Sequence, residues 1–342
     1  MFKRFLIVYF IVIGIFPSCA QIETPPPPTG CPLPVQTEVA ERASKEEEGF
    51  IQVNGGKIWY KISGIGKAGI PLIVIQGGPW ATHEHLENVE NLSADRPVIF
   101  FDQLGSGRSE RPDDKSLWRL ERYVLELKEL RQSLKLPKVH ILTQSFGSMV
   151  ALDYALLEPE NVASLVLSGP VLSARRFAAD AQSWVDQLPT KQKRTIEKAW
   201  NSGEFQSEEY QNVVRLYRDK HLCRLNPWPD SLNRMIQNMN MPLYEYMWGP
   251  SDFHSKGVLK DYERISELGR IQVPVFLSCG EFDEVPPRTC AFYSKLFPKV
   301  EVLVFGEASH EHHLEKEASY FLALKRFLRK ADEISYYKCP KS

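Results

Sequence analysis

From residue 51 onward, short β-branched apolar runs alternate with amphipathic segments of helical period, and nothing else in the sequence constrains the fold as much. The runs cover residues 70–75, 97–101, 139–142, 164–168, 273–277 and 300–305. Each has the length of a strand and is apolar on both faces, which predicts strands covered above and below. Among the intervening segments, residues 117–134 place apolar side chains at 117, 120, 124, 127, 130 and 134, one stripe of a helix. Strands buried on both faces and separated by such helices call for a mainly parallel sheet with helices on both sides. Ahead of them, residues 51–63 carry an Asn54-Gly55-Gly56 turn and predict an antiparallel hairpin.

One interval breaks the rhythm. Roughly a hundred residues between 168 and 273 contain no strand-like run, and they are polar, helix-like and rich in aromatics such as Trp184, Trp200, Tyr210, Tyr217 and Tyr246. A structureless loop of that length does not suit a compact domain. The expected organisation is therefore a core of residues 50–172 and 271–332, interrupted by a helical cap over 173–270. The chain's 342 residues, 43% apolar and 25% charged, supply enough apolar surface for such a body and exclude general disorder. With 42 cations against 43 anions, the charge gives no footprint for nucleic acid. Six cysteines are too few for a disulfide scaffold.

The first residues stand apart from this body. Lys3 and Arg4 precede an apolar run over residues 5–16, which has the length of a signal-peptide core and is short of a membrane span. Pro17-Ser18-Cys19-Ala20-Gln21 follows. A small residue before cysteine resembles a lipobox, which would make residues 1–18 a lipoprotein signal, Cys19 the lipidation site, and the product a membrane-anchored protein of the cell envelope. Ordinary signal cleavage around residue 20, giving a periplasmic or secreted protein, and a retained N-terminal anchor are the alternatives. Residues 21–49 contain Pro25-Pro26-Pro27-Pro28 and predict a semi-rigid tether. Cys31 and Cys339 flank the body, and spacing leaves a bridge between them open.

Chemistry is concentrated at Leu142-Thr143-Gln144-Ser145-Phe146-Gly147-Ser148-Met149, where a strand runs into an apolar helix over residues 149–157. A sharp strand-to-helix turn lifts a serine hydroxyl clear of the backbone, and the G-x-S-x-G pattern is met at Gly147, with Thr143 at the first glycine position. Serine needs a base, and the base needs an orienting carboxylate. Asp283 follows one strand and His310 follows the last. Ser, then Asp, then His, each at a strand's carboxyl end, is the α/β-hydrolase order. His310, His312 and His313 with Glu311 and Glu315 form no H-E-x-x-H pattern, so no metal and no cofactor is expected. Gly105-Ser106-Gly107 lacks the third glycine of a dinucleotide fingerprint, and Asp102 beside it is expected to be structural. His83 and His85 are expected as surface or lid contacts, and Cys279 and Cys290 as small buried residues.

Over residues 49–328 the sequence resembles the proline iminopeptidase family of α/β-hydrolases. The likeness is carried by Gln76-Gly77-Gly78-Pro79-Trp80, by Phe101-Asp102-Gln103-Leu104-Gly105-Ser106-Gly107-Arg108-Ser109, and by Gly280-Glu281-Phe282-Asp283 with Ser309-His310 and Glu315. His221-Leu222-Cys223-Arg224, Pro227-Trp228-Pro229 and Met247-Trp248-Gly249-Pro250-Ser251-Asp252-Phe253 resemble its cap. The resemblance implies Ser145 as nucleophile, His310 as general base, Asp283 as its orienter, and the N–H groups of Gly78 and Phe146 as an oxyanion hole. Such donors each lower the barrier by ~2.7–4 kcal/mol. It also implies a cap carboxylate for the substrate's α-amino group, at Asp252 or Asp230. Trp248 and Trp228 are expected to line the cavity. Gln76 stands where the family has His, Trp80 where it has Gly, and Asp252 where relatives tend to carry Glu. The function expected is an exported aminopeptidase releasing an N-terminal residue from small peptides. The alternatives are a carboxylesterase of the same fold and a non-catalytic binding protein with a degenerate site. The oligomeric state is not set by the sequence.

Overall fold

The computed structural model describes residues 46–79, 81–251, 253 and 255–337. Eight strands form one sheet: β1 Glu47–Val53, β2 Gly56–Ser63, β3 Leu72–Ile75, β4 Val98–Phe101, β5 Val139–Gln144, β6 Val162–Ser168, β7 Val275–Gly280 and β8 Val300–Phe305. Their order is β1-β2-β4-β3-β5-β6-β7-β8. The β1–β2 hairpin joins β4 antiparallel, and every later pairing is parallel. Strand period dictates the layers, since successive side chains point to opposite faces. Ile73, Ile99, Ile141, Leu165 and Val275 enter a core shared with helices α1 (Leu120–Ser133) and α2 (Gly147–Leu157). Their neighbours Leu72, Val98, Leu142, Val166 and Phe276 enter a second core against α10 (Glu317–Tyr337) and the 3-10 segment His83–Leu92.

Two details differ from the expectation. Helix α1 starts at Leu120, because Asp114 caps a separate 3-10 turn, Lys115–Leu117, by accepting from the Ser116 N–H (2.9 Å). Strand β8, expected to be buried, is the sheet's outer edge. Val302 and Val304, which alternate with the α10-facing Leu303 and Phe305, are 41% and 42% exposed.

Between β6 and β7 the chain forms α3 Ala174–Val185, α4 Thr190–Ser202, α5 Glu208–His221, α6 Asp230–Gln237 and α7 Met241–Met247. Among the described residues its one strand-like contact is an isolated bridge, Ser173 with Glu263. The insert has an apolar centre of its own, with Ile196, Tyr210, Val213, Val214, Tyr217 and Phe253. Leu243, Met247 and Trp248 join the main core, so the insert is rooted at α7. Helix α6 is rooted through Leu232 and Met235, which cluster with Ala81 and Cys223. After the insert come α8 Pro287–Ser294 and α9 His312–Glu315.

Asp102, fully buried at the end of β4, pins the loops above the sheet. Its Oδ1 accepts from the N–H of His83 (2.9 Å) and meets the His83 Nδ1 (3.0 Å), and its Oδ2 accepts from the N–H of Arg108 (2.9 Å). Asp102→Ala leaves these donors without an acceptor, and each buried orphan costs about 1–3 kcal/mol. Chemical denaturation of this variant is expected to give an unfolding free energy lower by about 2–4 kcal/mol.

Candidate active site

Strand β5 ends at Gln144 and α2 begins at Gly147, which leaves two residues to reverse direction. Ser145 takes the strain with φ +51°, a left-handed conformation that a residue with a side chain rarely adopts. The turn is held by the Ser145 N–H donating to the Ser168 carbonyl (2.9 Å) and by the Ser148 hydroxyl donating to the Ser145 carbonyl (2.6 Å). Gly147 cannot carry a side chain, because a Cβ would lie 2.7 Å from the Gln76 carbonyl oxygen. Thr143 is accommodated between strands, its hydroxyl donating to the Val166 carbonyl (3.2 Å). Gln76 is buried and ties the neighbouring loop down, its amide donating to the Phe101 carbonyl (3.2 Å) and accepting from the Gln103 N–H (3.0 Å).

Asp283 and His310 arrive from the ends of β7 and β8. The His310 Nδ1 lies 2.6 Å from the Asp283 Oδ1, and the carboxylate also accepts from the N–H groups of Val285 (2.8 Å) and Gly280 (3.0 Å). Burial opposes the charge on Asp283, but the His310 charge and hydrogen bond outweigh it and hold its pKa well below 3.8. Burial likewise opposes a charged His310, and Asp283 again prevails, lifting the imidazole to about 9. An ionised Asp283 can only accept, so in the neutral ring the His310 proton sits on Nδ1 and Nε2 presents a lone pair. Gly78, at φ +50°, and Phe146, at the start of α2, both line the cavity with Ser145 and His310. Among the described residues, neither of their N–H groups has a protein acceptor.

The cavity therefore gathers Ser145, His310, Gly78, Phe146 and Trp248, with Asp283 buried behind His310. From the insert it receives Phe177, Met239 and Tyr244, and Trp248 packs edge-on against Phe177 with centroids 5.2 Å apart. Two expected residues are not brought there. The Trp228 indole donates to the Cys223 carbonyl (3.0 Å) and packs beside Leu232 and Met235. Asp230 is exposed as the first residue of α6, where a carboxylate suits the positive end of the helix. Asp252, Trp80, Cys19, Cys31 and Cys339 lie outside the described residues. Cys223, Cys279 and Cys290 are free and buried.

Besides those apolar side chains, the lining includes Glu284, Glu311, His85 and Arg218, which the sequence did not single out for this role. Glu284 follows Asp283 and Glu311 follows His310, and that adjacency was the available signal. His85 is a correction, since it is 1% exposed and not a surface contact. The Glu284 Oε2 stands 3.8 Å from the His310 Nε2. Burial works against an ionised Glu311, but His85 and His313 hold it down to about 2. Ligand atoms of His85, Glu311 and His313 fall within 4.8 Å of one another, a grouping that suggests a metal. However, the His313 Nε2 is 2.8 Å from the His85 carbonyl oxygen, which can only accept. That nitrogen therefore carries a proton, and the ring's lone pair lies on Nδ1, which is buried without a hydrogen-bond partner among the described residues.

Residues 70–317 match the family described as alpha/beta hydrolase fold. A proline iminopeptidase of Heyndrickxia coagulans is 37% identical over 282 residues, 82% of this chain and 98% of that protein. One of Lactobacillus acidophilus is 31% identical over 286 residues, 82% of this chain and 97% of that protein. The crystal structure of the Mycobacterium smegmatis proline iminopeptidase superposes with a TM-score of 0.78 at 28% identity, covering 84% of this chain and all of that one.

Proposed function

The chain belongs to the proline iminopeptidase family of the α/β-hydrolases, and from that premise we propose that it is an exported aminopeptidase releasing an N-terminal residue from small peptides. One arrangement carries this proposal. Ser145 on its strained turn and His310 oriented by Asp283 open onto a mainly apolar cavity whose charged lining comprises Glu284, Glu311 and Arg218, Glu284 being the carboxylate beside the His310 Nε2. The Ser145 Oγ attacks the carbonyl of the first residue while the His310 Nε2 takes its proton. The oxyanion falls to the N–H groups of Gly78 and Phe146. His310 then protonates the departing amine, and water releases the acyl group by the same steps in reverse order.

Glu284 gives the amino-terminal preference a physical basis. It stands beside His310, so an ammonium paired with it lies within one residue of the carbonyl under attack. The Glu284 side chain is 15% exposed, and at such a partly buried position the pairing is stronger than in bulk water. Phe177, Met239 and Trp248 suit an apolar first side chain. Glu284→Gln is expected to lower kcat/KM for aminoacyl-naphthylamides by about 10–100-fold, and to change p-nitrophenyl ester turnover by less than about threefold. Ester turnover that ignores a free amine would overturn the peptidase assignment and leave a carboxylesterase. Residues 1–20 support export and Cys19 supports lipidation. Mass spectrometry of the mature N-terminus tests both, with an unmodified start near residue 21 counting against the lipid anchor.

A further inference from the structure

Beside the catalytic pair stands a second carboxylate–imidazole pair that the proposed reaction does not use. Glu311 directly follows His310, and His85 lies in the 3-10 segment after the oxyanion loop. Both are 1% exposed, and both line the cavity. The His85 Nδ1 is 3.2 Å from the Glu311 Oε2, and its Nε2 is 3.4 Å from the backbone nitrogen of Gly77. An amide N–H can only donate, so Nε2 accepts and the ring proton sits on Nδ1, directed at Glu311. Glu311 is itself anchored, its N–H donating to the Leu222 carbonyl (2.8 Å). The ring of His313 steadies the other end by donating to the His85 carbonyl (2.8 Å). On its far side, Gly77 presses against the nucleophile turn so closely that a Cβ would meet the Gln144 Oε1 at 1.9 Å.

We propose that His85, oriented by Glu311, is a positioning residue for the oxyanion loop. Its imidazole grips the Gly77 N–H, and this sets the peptide planes that aim the Gly78 N–H into the cavity. The two carboxylate–imidazole pairs then divide the work: Asp283–His310 serves the nucleophile, and Glu311–His85 serves the oxyanion. Because Glu311 and His310 are consecutive, one short stretch of chain fixes both halves of the site. A donor displaced by about 1 Å can cost ~100-fold in rate. Losing one hydrogen bond behind the donor is expected to cost less.

The test uses p-nitrophenyl ester turnover by the whole protein. His85→Leu is expected to lower kcat by about 30-fold with KM within about twofold. His85→Gln places an amide oxygen near the former Nε2 to accept from Gly77, and should retain kcat within about fivefold. Glu311→Leu is expected to lower kcat by about tenfold, and the double variant Glu311→Leu/His85→Leu should be no slower than His85→Leu alone, since both act through one hydrogen bond. Equal losses in the Leu and Gln variants, additive losses in the double variant, or a loss carried by KM would each overturn the proposal. If His85→Leu does not fold, hydrogen exchange at the Gly77 amide decides. Exchange at least about tenfold faster in Glu311→Leu, with β5 amides unchanged, supports the proposal, and unchanged Gly77 protection overturns it. The inference rests on the oxyanion role given to this loop above and not on the peptide substrate. A protein that cleaves esters but ignores aminoacyl amides fails the peptidase assignment and leaves this test intact.

Discussion

Ser145→Ala is expected to lower turnover of every substrate by four to six orders of magnitude, about what removal of a triad nucleophile costs elsewhere. The same substitution should abolish labelling by a fluorophosphonate while leaving the thermal transition in place. The turn around Ser145 is held by its backbone N–H and carbonyl, which alanine keeps. Residual activity should come from the N–H groups of Gly78 and Phe146 and from binding alone. Labelling of the native protein that disappears in Ser145→Ala excludes the degenerate-site alternative. A native protein that takes no label would overturn the hydrolase mechanism.

Asp283→Asn is expected to cost about 10⁴-fold in kcat with little change in KM. The carboxylate forces the His310 proton onto Nδ1, and an amide that donates at that position forces the opposite tautomer and removes the base. The pH profile separates this loss from simple misfolding. His310 works only when neutral, and Asp283 lifts its pKa from 6.5 to about 9, so the acid limb of the native kcat/KM profile should lie above 6.5. In the variant the Asp283 contribution is gone while burial and the smaller pull of Glu284 and Glu311 remain, so the limb should move to lower pH than in the native protein. Stability follows the same pair with opposite signs at its two ends. The raised pKa of His310 contributes stability that is complete below 6.5 and lost as pH rises through about 9. The lowered pKa of Asp283 contributes stability present above 3.8 and lost as pH falls further. The thermal midpoint plotted against pH should therefore be flatter in Asp283→Asn than in the native protein. An unchanged acid limb in the variant would show that Asp283 does not set the His310 charge.

Strand-forming runs were legible because burial on both faces leaves an unbroken β-branched signature, and the gathering of Ser145, Asp283 and His310 was legible because each follows such a run in a recognisable order. Val302 and Val304 misled because apolar content reports strand propensity and not what covers the strand. The cavity's cap side was the least legible part. Trp228 and Trp248 are alike in sequence, and only the packing of α6 and α7 sends Trp248 to the cavity and Trp228 to the Cys223 carbonyl. His85 and Glu311 meet across 226 residues, a separation at which sequence pattern carries no information on contact. Their partnership depends on how two loops settle above the sheet.

Placing the insert between β6 and β7 also bears on the order in which the protein acquires its chemistry. Ser145 sits on one side of a loop of about a hundred residues, and Asp283 and His310 sit on the other. Closing a loop of that length costs about 4 kcal/mol of chain entropy before the β6–β7 pairing returns anything. Non-local parallel pairing of this kind is slow to form. A nascent chain can thus have the turn at Ser145 complete and still be chemically inert, because His310 follows β8, the last strand in sequence. Competence requires β7 and β8 to be docked, so activity is expected to recover no earlier than their pairing with β6.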